Sequence, residues 1–425
     1  MIVSSVRSIP IRPTLDGMPR GIGDELSIGE RIALYRARRG MTQAVLAGLV
    51  GRGEDWLSKI ERGERQVRQI DMLVALAREL RVNLGELIGQ PVLAEDERQQ
   101  DDVPAVRDAL MAPRRLSRVL FPAGDGDVPD LDRATTLTRY AWDDYQEGRL
   151  GPVVAALPGL IETAQQLEDG PTDSGQRRRQ ALWVSARVHH LAATTLMKFG
   201  EVDLAWIAAE RATRIGDESG DPLILASAAR AGTHAMLARG RYQDALELGL
   251  AAAGYLEDNV DDHDEVALSL SGMLHLRIAI AAARRGDRDA TKELLRRAKD
   301  AGNRLGYDAN LWHTGFGPTN VVLHRMSAAL DLGDVAFVLE HGPQVSVAHM
   351  PSERAATFHM ELARAYHQAG RFDDALASLL EAEATAAPMV RHSVVVRETL
   401  REMYRRNHGT SRALTELARR CRAVA

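Results

Sequence analysis

Apolar residues recur every three or four positions along most of the chain, and few stretches alternate as a half-buried strand would, so the pattern predicts an all-α protein. Five short helical segments fall between Ser27 and Gly89. The first, Ile28–Arg39, has Ser27 as its N-cap and Glu30 three residues on, a capping box; Ile32 and Tyr35 form its apolar face and Gly40 stops it. Thr42 caps the second, Gln43–Val50, expected to bury Val45, Leu46 and Leu49. Gly51-Arg52-Gly53 makes a tight turn into Glu54–Arg62, with Leu57 and Ile60 inward and Gly63 at its end. Gln69–Leu80 is strongly amphipathic, and Asn83 caps a last turn. Two short helices joined by a three-residue glycine turn form a helix-turn-helix unit.

From about Leu131 the pattern repeats. Gly148, Gly200, Gly240, Gly286, Gly333, Gly370 and Gly409 each separate two amphipathic stretches, at spacings of 37 to 52 residues. Periods of this size signal stacked helix pairs. Four glycines sit in variants of one string: FGEVDLA, RGRYQDA, RGDRDA and AGRFDDA. Seven positions before a turn glycine, where neighbouring helices cross, stand Ala141, Ala193, Thr233, Ala279 and Ala363, with Met326 as the exception.

Four units follow: a Pro-, Gly- and Arg-rich arm at 1–26, expected to be disordered; a helix-turn-helix domain at 27–90; a polar, breaker-rich linker with one short docking helix at 91–130; and a repeat body at 131–425. The net charge of −5 is uneven, +4 between Ser27 and Arg81 and −9 elsewhere, a basic module on an acidic body. Only four of the 54 basic residues are lysine. The single cysteine, Cys421, excludes a disulfide framework or a cysteine-based zinc site and suits a cytoplasmic setting. No run of 18 apolar residues and no signal-peptide pattern is read, so no membrane association is expected. His189 and His190 are adjacent and point to different helix faces, and Asp261–Glu265 reads as a solvated acidic segment, so no metal is expected. No phosphate loop, nucleophile elbow or nucleophile–base set stands out; neither an enzyme nor a cofactor is expected.

The stretch TQAVLAGLVGRGEDWLSKIERGER, Thr42–Arg65, resembles the Cro/phage-repressor (XRE) type of helix-turn-helix, over about 60 residues. The resemblance implies a sequence-specific reader of double-stranded DNA and assigns roles. Gln43 matches a glutamine that contacts a phosphate. Arg36 and Glu61 match a structural salt bridge between the first helix and the recognition helix. Glu54, Asp55 and Lys59 match positions that reach base edges, with Arg52 and Ser58 beside them, and Arg62, Arg65 and Arg68 follow toward phosphates. Trp56 meets a thymine methyl group or packs on the first helix. Two carboxylates open the recognition helix where the family has polar or basic residues, and Gly53 is a weak N-cap. Family members read inverted repeats as dimers, so a homodimer formed through the body is expected.

The strings GRYQDA and GRFDDA resemble the tetratricopeptide repeat, with Ala205, Ala245 and Ala375 in the second helix of their pairs. Phe316–Asp334 together with the N-terminal domain resembles actinomycete regulators that join the two modules, and the architecture also resembles peptide-responsive quorum-sensing regulators. In the tetratricopeptide register, first-helix positions face a concave groove: Arg187, His190, Thr194, Ser227, Arg230, His234, Met273, Asn320, His324, Met360 and Arg364 form the expected effector surface. A peptide or another small molecule is the expected effector, with arginines taking a carboxylate and Asn320 a backbone. The resulting reading is a cytoplasmic, nucleoid-associated, ligand-responsive transcription regulator. The alternative is a tetratricopeptide-type interaction scaffold with weak or vestigial DNA binding.

Overall fold

The protein is described by a computed structural model over residues 27–38, 41–67, 69–80, 82, 87, 103–117, 120–121, 129–170, 175–261, 263–406 and 411–424. Among these residues the regular structure is helical, with one isolated bridge between Ala309 and Phe316. The N-terminal domain comprises α1 (Ile28–Arg38), α2 (Gln43–Leu49), α3 (Glu54–Glu61) and α4 (Ile70–Leu80). The capping box forms: Glu30 Oε2 accepts from Ser27 N at 2.7 Å and Ser27 Oγ accepts from Glu30 N at 3.3 Å. Ile32, Leu46, Leu57, Ile60, Leu76 and Leu80 close a small core. Gly29 lets α1 cross α3 tightly, since a Cβ there would meet the Ile60 carbonyl oxygen at 2.1 Å. One expectation fails: Val45 and Leu49 are 50% and 51% exposed, and Leu46 and Ala47 are the buried positions of α2. Seven residues are too few for the apolar spacing to fix a face. Asn83 and Arg68 lie outside the described residues.

The linker helix α5 (Val103–Leu110) packs on the body, with Val106 and Leu110 fully buried in its first core. Behind it, Arg115 pairs with Glu168 at 2.9 Å and Arg114 with Asp169 at 2.5 Å.

The body stacks helix pairs: α6 (Leu131–Gln146) with α7 (Leu150–Asp169), α8 (Gln176–Lys198) with α9 (Val202–Ser219), α10 (Pro222–Ala238) with α11 (Tyr242–Asn259), α12 (Glu265–Arg284) with α13 (Arg288–Leu305), α14 (Pro318–Asp331) with α15 (Val335–His341), and α16 (Ser352–Gln368) with α17 (Phe372–His392); α18 (Val394–Arg406) and α19 (Arg412–Arg420) close the end. Six of the seven repeat glycines join the two helices of a pair at φ of +71° to +84°, a conformation that favours glycine; Gly409 lies outside the described residues. The crossing positions Ala141, Ala193, Thr233, Ala279, Met326 and Ala363 are all buried. By length and composition α12 is apolar enough to span a membrane, a candidate the sequence reading passed over; 89% of that stretch is buried inside the body.

The superhelix closes on itself. Lys198 on α8 reaches Glu353 on α16 at 2.5 Å. The 306–317 loop folds across to α6, where Asn310 and Gln146 exchange two hydrogen bonds of 2.8 and 3.0 Å. Trp312 and His313 adopt φ of 50° and 57° in this loop, strain that the surrounding contacts must hold.

Candidate functional site

The first helix of each pair faces inward and the second lies outside, so the first helices enclose one cavity of about 490 Å³. Of the expected effector residues, His190, Thr194, Arg230, His234, Met273, Asn320, His324, Met360 and Arg364 line it. Arg187 and Ser227 do not. The Arg187 guanidinium lies 4.0 Å over the Trp142 ring and bonds His313 Nδ1 at 2.7 Å, while His313 Nε2 contacts Asp143 at 3.1 Å. Arg187 therefore anchors the 306–317 loop. Burial, reinforced by the Arg187 charge, pushes His313 down to about 4, so the clasp is neutral imidazole on arginine at neutral pH. Ser227 is buried between helices.

Several cavity residues had escaped the sequence reading: Tyr145, Lys198, Arg277, Glu353, Arg354 and Glu361. Carried along α12, the tetratricopeptide register that gives Met273 also gives Leu276 and Ile280; Met273 and Ile280 line the cavity, but Leu276 is buried in the core and Arg277 takes its place. Arg277 is the one charge inside an otherwise apolar helix, and that signal was available.

Asn320 is not free to take a ligand backbone. Its amide donates to the Gly315 carbonyl oxygen at 2.9 Å, and its Oδ1 accepts from Arg354 Nε at 3.0 Å and lies 3.0 Å from His324 Nδ1. Lys198 is tied to Glu353, and Arg284 and Arg364 converge on Asp331 at 3.0 and 3.3 Å. His190, His234 and His324 are held well below the ordinary histidine range, chiefly by burial and then by neighbouring arginines, so all three are neutral at pH 7.

The second surface is α3. Its inner side packs Leu57 and Ile60 in the domain core, whereas Arg52, Glu54, Asp55, Arg62 and Arg65 are exposed. Asp55 is bonded to Lys59 at 2.7 Å, which lowers its pKa, and Arg62 to Glu64 at 2.7 Å and to the Ser58 hydroxyl. Trp56 is half-buried against the core and 5.8 Å from the Arg52 guanidinium carbon. The two acidic residues at the start of the helix are thus balanced by Lys59 and flanked by arginines. Arg36 and Glu61 pair through two bonds of 2.6 and 2.9 Å, holding α1 to α3. Gln43, expected at a phosphate, donates its amide to Glu61 at 2.7 Å and belongs to this brace.

The opposite side of the domain rests on the body. Arg405 donates to the Gly63 carbonyl oxygen at 2.7 Å, Gln66 to that of Glu398 at 2.7 Å, and Val74 abuts Gly240. Ile28, Gln66, Val67 and Leu73 complete the cavity wall. Among the described residues no cluster of three or more histidine, cysteine or acidic side chains is arranged to hold a metal.

Residues 27–88 match the protein family described as a helix-turn-helix domain, so the chain carries such a domain at its N-terminal end, ahead of helical repeats. No curated protein matches the chain. A solved structure, Bacillus thuringiensis PlcR in complex with the peptide PapR7 and DNA, is similar at 15% identity and a TM-score of 0.30, over 66% of this chain and 95% of that one.

Proposed function

We propose that the protein is a DNA-binding transcription regulator of the Cro/phage-repressor type whose repeat body encloses an effector. The observation that carries this reading is the division of the N-terminal domain. The outer face of α3, from Arg52 to Arg65, lies open to solvent, while the turn after it and α4 rest on the cavity. Lys59 and Asp55 are the base-reading pair in this scheme, and Arg52, Arg62 and Arg65 set register on phosphates. The regulator works as a homodimer, formed through the body and matched to an inverted repeat, in the cytoplasm on the nucleoid. The effector is a small ligand of the cavity, a peptide among the candidates.

Selection of bound duplexes from a random pool, followed by a salt titration, tests this. A reader that neutralises several phosphates loses affinity steeply with salt, by roughly 0.9 decades per decade of salt for each phosphate. Lys59→Ala should weaken specific binding more than nonspecific binding, whereas Arg65→Ala should weaken both; equal effects would refute the groove register. The exposed Glu54 and Asp55 favour the scaffold alternative, in which neither sequence preference nor salt slope appears. A monomeric mass at micromolar concentration would overturn the dimer.

A further inference from the structure

Two guanidinium groups on the cavity wall lack a bonded counter-charge; Glu353 acts on Arg277 only through space and is itself bonded to Lys198. Every other cationic side chain there has one: Lys198 has Glu353, Arg284 and Arg364 share Asp331, and Arg354 lies 3.8 Å from Glu361. Arg230 on α10 and Arg277 on the adjacent α12 have no hydrogen bond or ion pair through their side chains among the described residues, and Arg230 Nη1 is sealed from solvent without a partner. Burial, with the neighbouring Arg277 charge adding to it, brings Arg230 down to about 9. Both side chains stay cationic at neutral pH, because arginine keeps its proton in proteins.

Holding two like charges together in a poorly solvated wall is unfavourable, and the fold does not require it. Neither group braces an interface, as Arg187 does, nor caps a helix. The three neutral histidines nearby supply no negative charge. What the pair lacks is an anion bonded to it, and the apolar side chains Met273, Ile280 and Met360 line the same space. A volume of about 490 Å³ encloses a drug-sized molecule.

The geometry points to a ligand site in which Arg230 and Arg277 together grip the carboxylate or phosphate head of an amphipathic anion, whose apolar body lies on Met273, Ile280 and Met360. This assignment rests on reading the cavity as the effector site. It narrows the effector class: molecules without an anionic group are excluded, and a peptide qualifies through its C-terminal carboxylate, not its N-terminus.

Thermal unfolding and calorimetric titration of the full chain, without DNA, test the assignment. The probes are inorganic phosphate (head alone), decanoate (head with apolar body), decanol (body alone), and the dipeptide Leu-Leu as free acid and as amide. Decanoate or the free-acid dipeptide should bind at least tenfold more tightly than phosphate, and decanol and the amide should give no shift. Preference between the two winners separates a fatty-acid-like source from a peptide. Arg230→Gln and Arg277→Gln should each cost at least tenfold in binding while leaving the melting temperature of the ligand-free protein unchanged or raised, since each relieves an unpaired buried cation. The assignment falls if no anion stabilises the protein, if decanol matches decanoate, if both variants still bind, or if both lower the ligand-free melting temperature by several degrees, which marks a structural role. Because DNA is absent from every arm, these failures leave the DNA-binding reading to its own test.

Discussion

The contact between Gly240 and Val74 offers a direct measure of how firmly the helix-turn-helix domain is docked. A Cβ at Gly240 would lie 2.2 Å from Val74 Cγ1 and 3.3 Å from Val74 Cβ, so the valine must leave its rotamer, and even then its Cβ stays too tight and α4 must give by a few tenths of an ångström. Gly240→Ala also strains a left-handed backbone position, at about 1–2 kcal/mol. Gly286 is the matched control, because it sits at φ +78° in the equivalent turn with nothing within 4 Å of its Cβ position. The two alanine variants share the backbone cost, and their difference is the steric cost at the docking contact, about 1–3 kcal/mol for an overpacked position. That difference should change the ratio of docked to undocked molecules by about 5- to 150-fold. Paired spin labels at Arg52→Cys and Arg296→Cys report the separation. The native Cys421 is buried, and burial pushes its thiol up to about 12, so it stays unlabelled. Gly240→Ala should populate a longer, broader distance distribution, and Gly286→Ala should reproduce the wild-type one. Identical distributions in the two variants would refute the docking argument.

Two further outcomes are expected. Glu61→Ala removes the carboxylate that both Arg36 and Gln43 bond, leaving a partly buried guanidinium with only the Met41 carbonyl oxygen; the helix-turn-helix domain should lose about 2–3 kcal/mol, read by native-state hydrogen exchange of the α1–α3 amides, and the double change Arg36→Met with Glu61→Met should recover much of it. Acid should destabilise the body from about pH 6.5 downward: His190, His234 and His324 have folded pKa values depressed by burial, so the unfolded chain binds protons that the folded one refuses. Each adds a slope of about 1.4 kcal/mol per pH unit, and His234→Gln should flatten the pH profile of the melting temperature. Below about pH 4.5 Glu168 adds to the loss in the same direction: burial would raise its pKa, but bonding to His189, Arg115 and Ser185 outweighs that and holds it well below the carboxylate range.

The turn glycines and the capping box were legible because each rests on a local rule: only glycine sits readily at φ near +75°, and only a Ser-x-x-Glu pair satisfies two orphan amides at once. The all-helical class followed from periodicity summed over hundreds of residues. Side-chain direction was harder to read. Nine of eleven proposed groove residues face the cavity, Met273 on α12 among them, and Ile280 does as well, but the middle position of that helix is Arg277 and not Leu276, because the inward face follows an i, i+4, i+7 spacing there and not i, i+3, i+7. Arg187 could not have been placed, since its partners Trp142 and His313 come from helix α6 and a loop 126 residues away. Val45 and Leu49 show the same limit at small scale. A seven-residue helix bears too few apolar positions to define its buried face, and the tertiary neighbours decide.

The cavity and the helix-turn-helix domain share a wall, so on the function proposed above an effector would have a route to the reader. A ligand shifts an equilibrium only by its differential affinity for the two states. Arg230 and Arg277 belong to the body in both the docked and the undocked arrangement, so gripping an anion head adds affinity without direction. Ile28, Gln66, Val67 and Leu73 are the part of the cavity wall that the helix-turn-helix domain contributes, so whatever part of an effector reached them would supply the bias. On the proposed reading, the head of the ligand would set whether it binds, and the length of its apolar body would set what it does. A short anion fills the arginine pair and leaves the domain indifferent. On that reading, one long enough to touch Leu73 would hold the domain docked and one that overfills the space beneath it would drive it off, so a single site would read inducer from inhibitor by size alone.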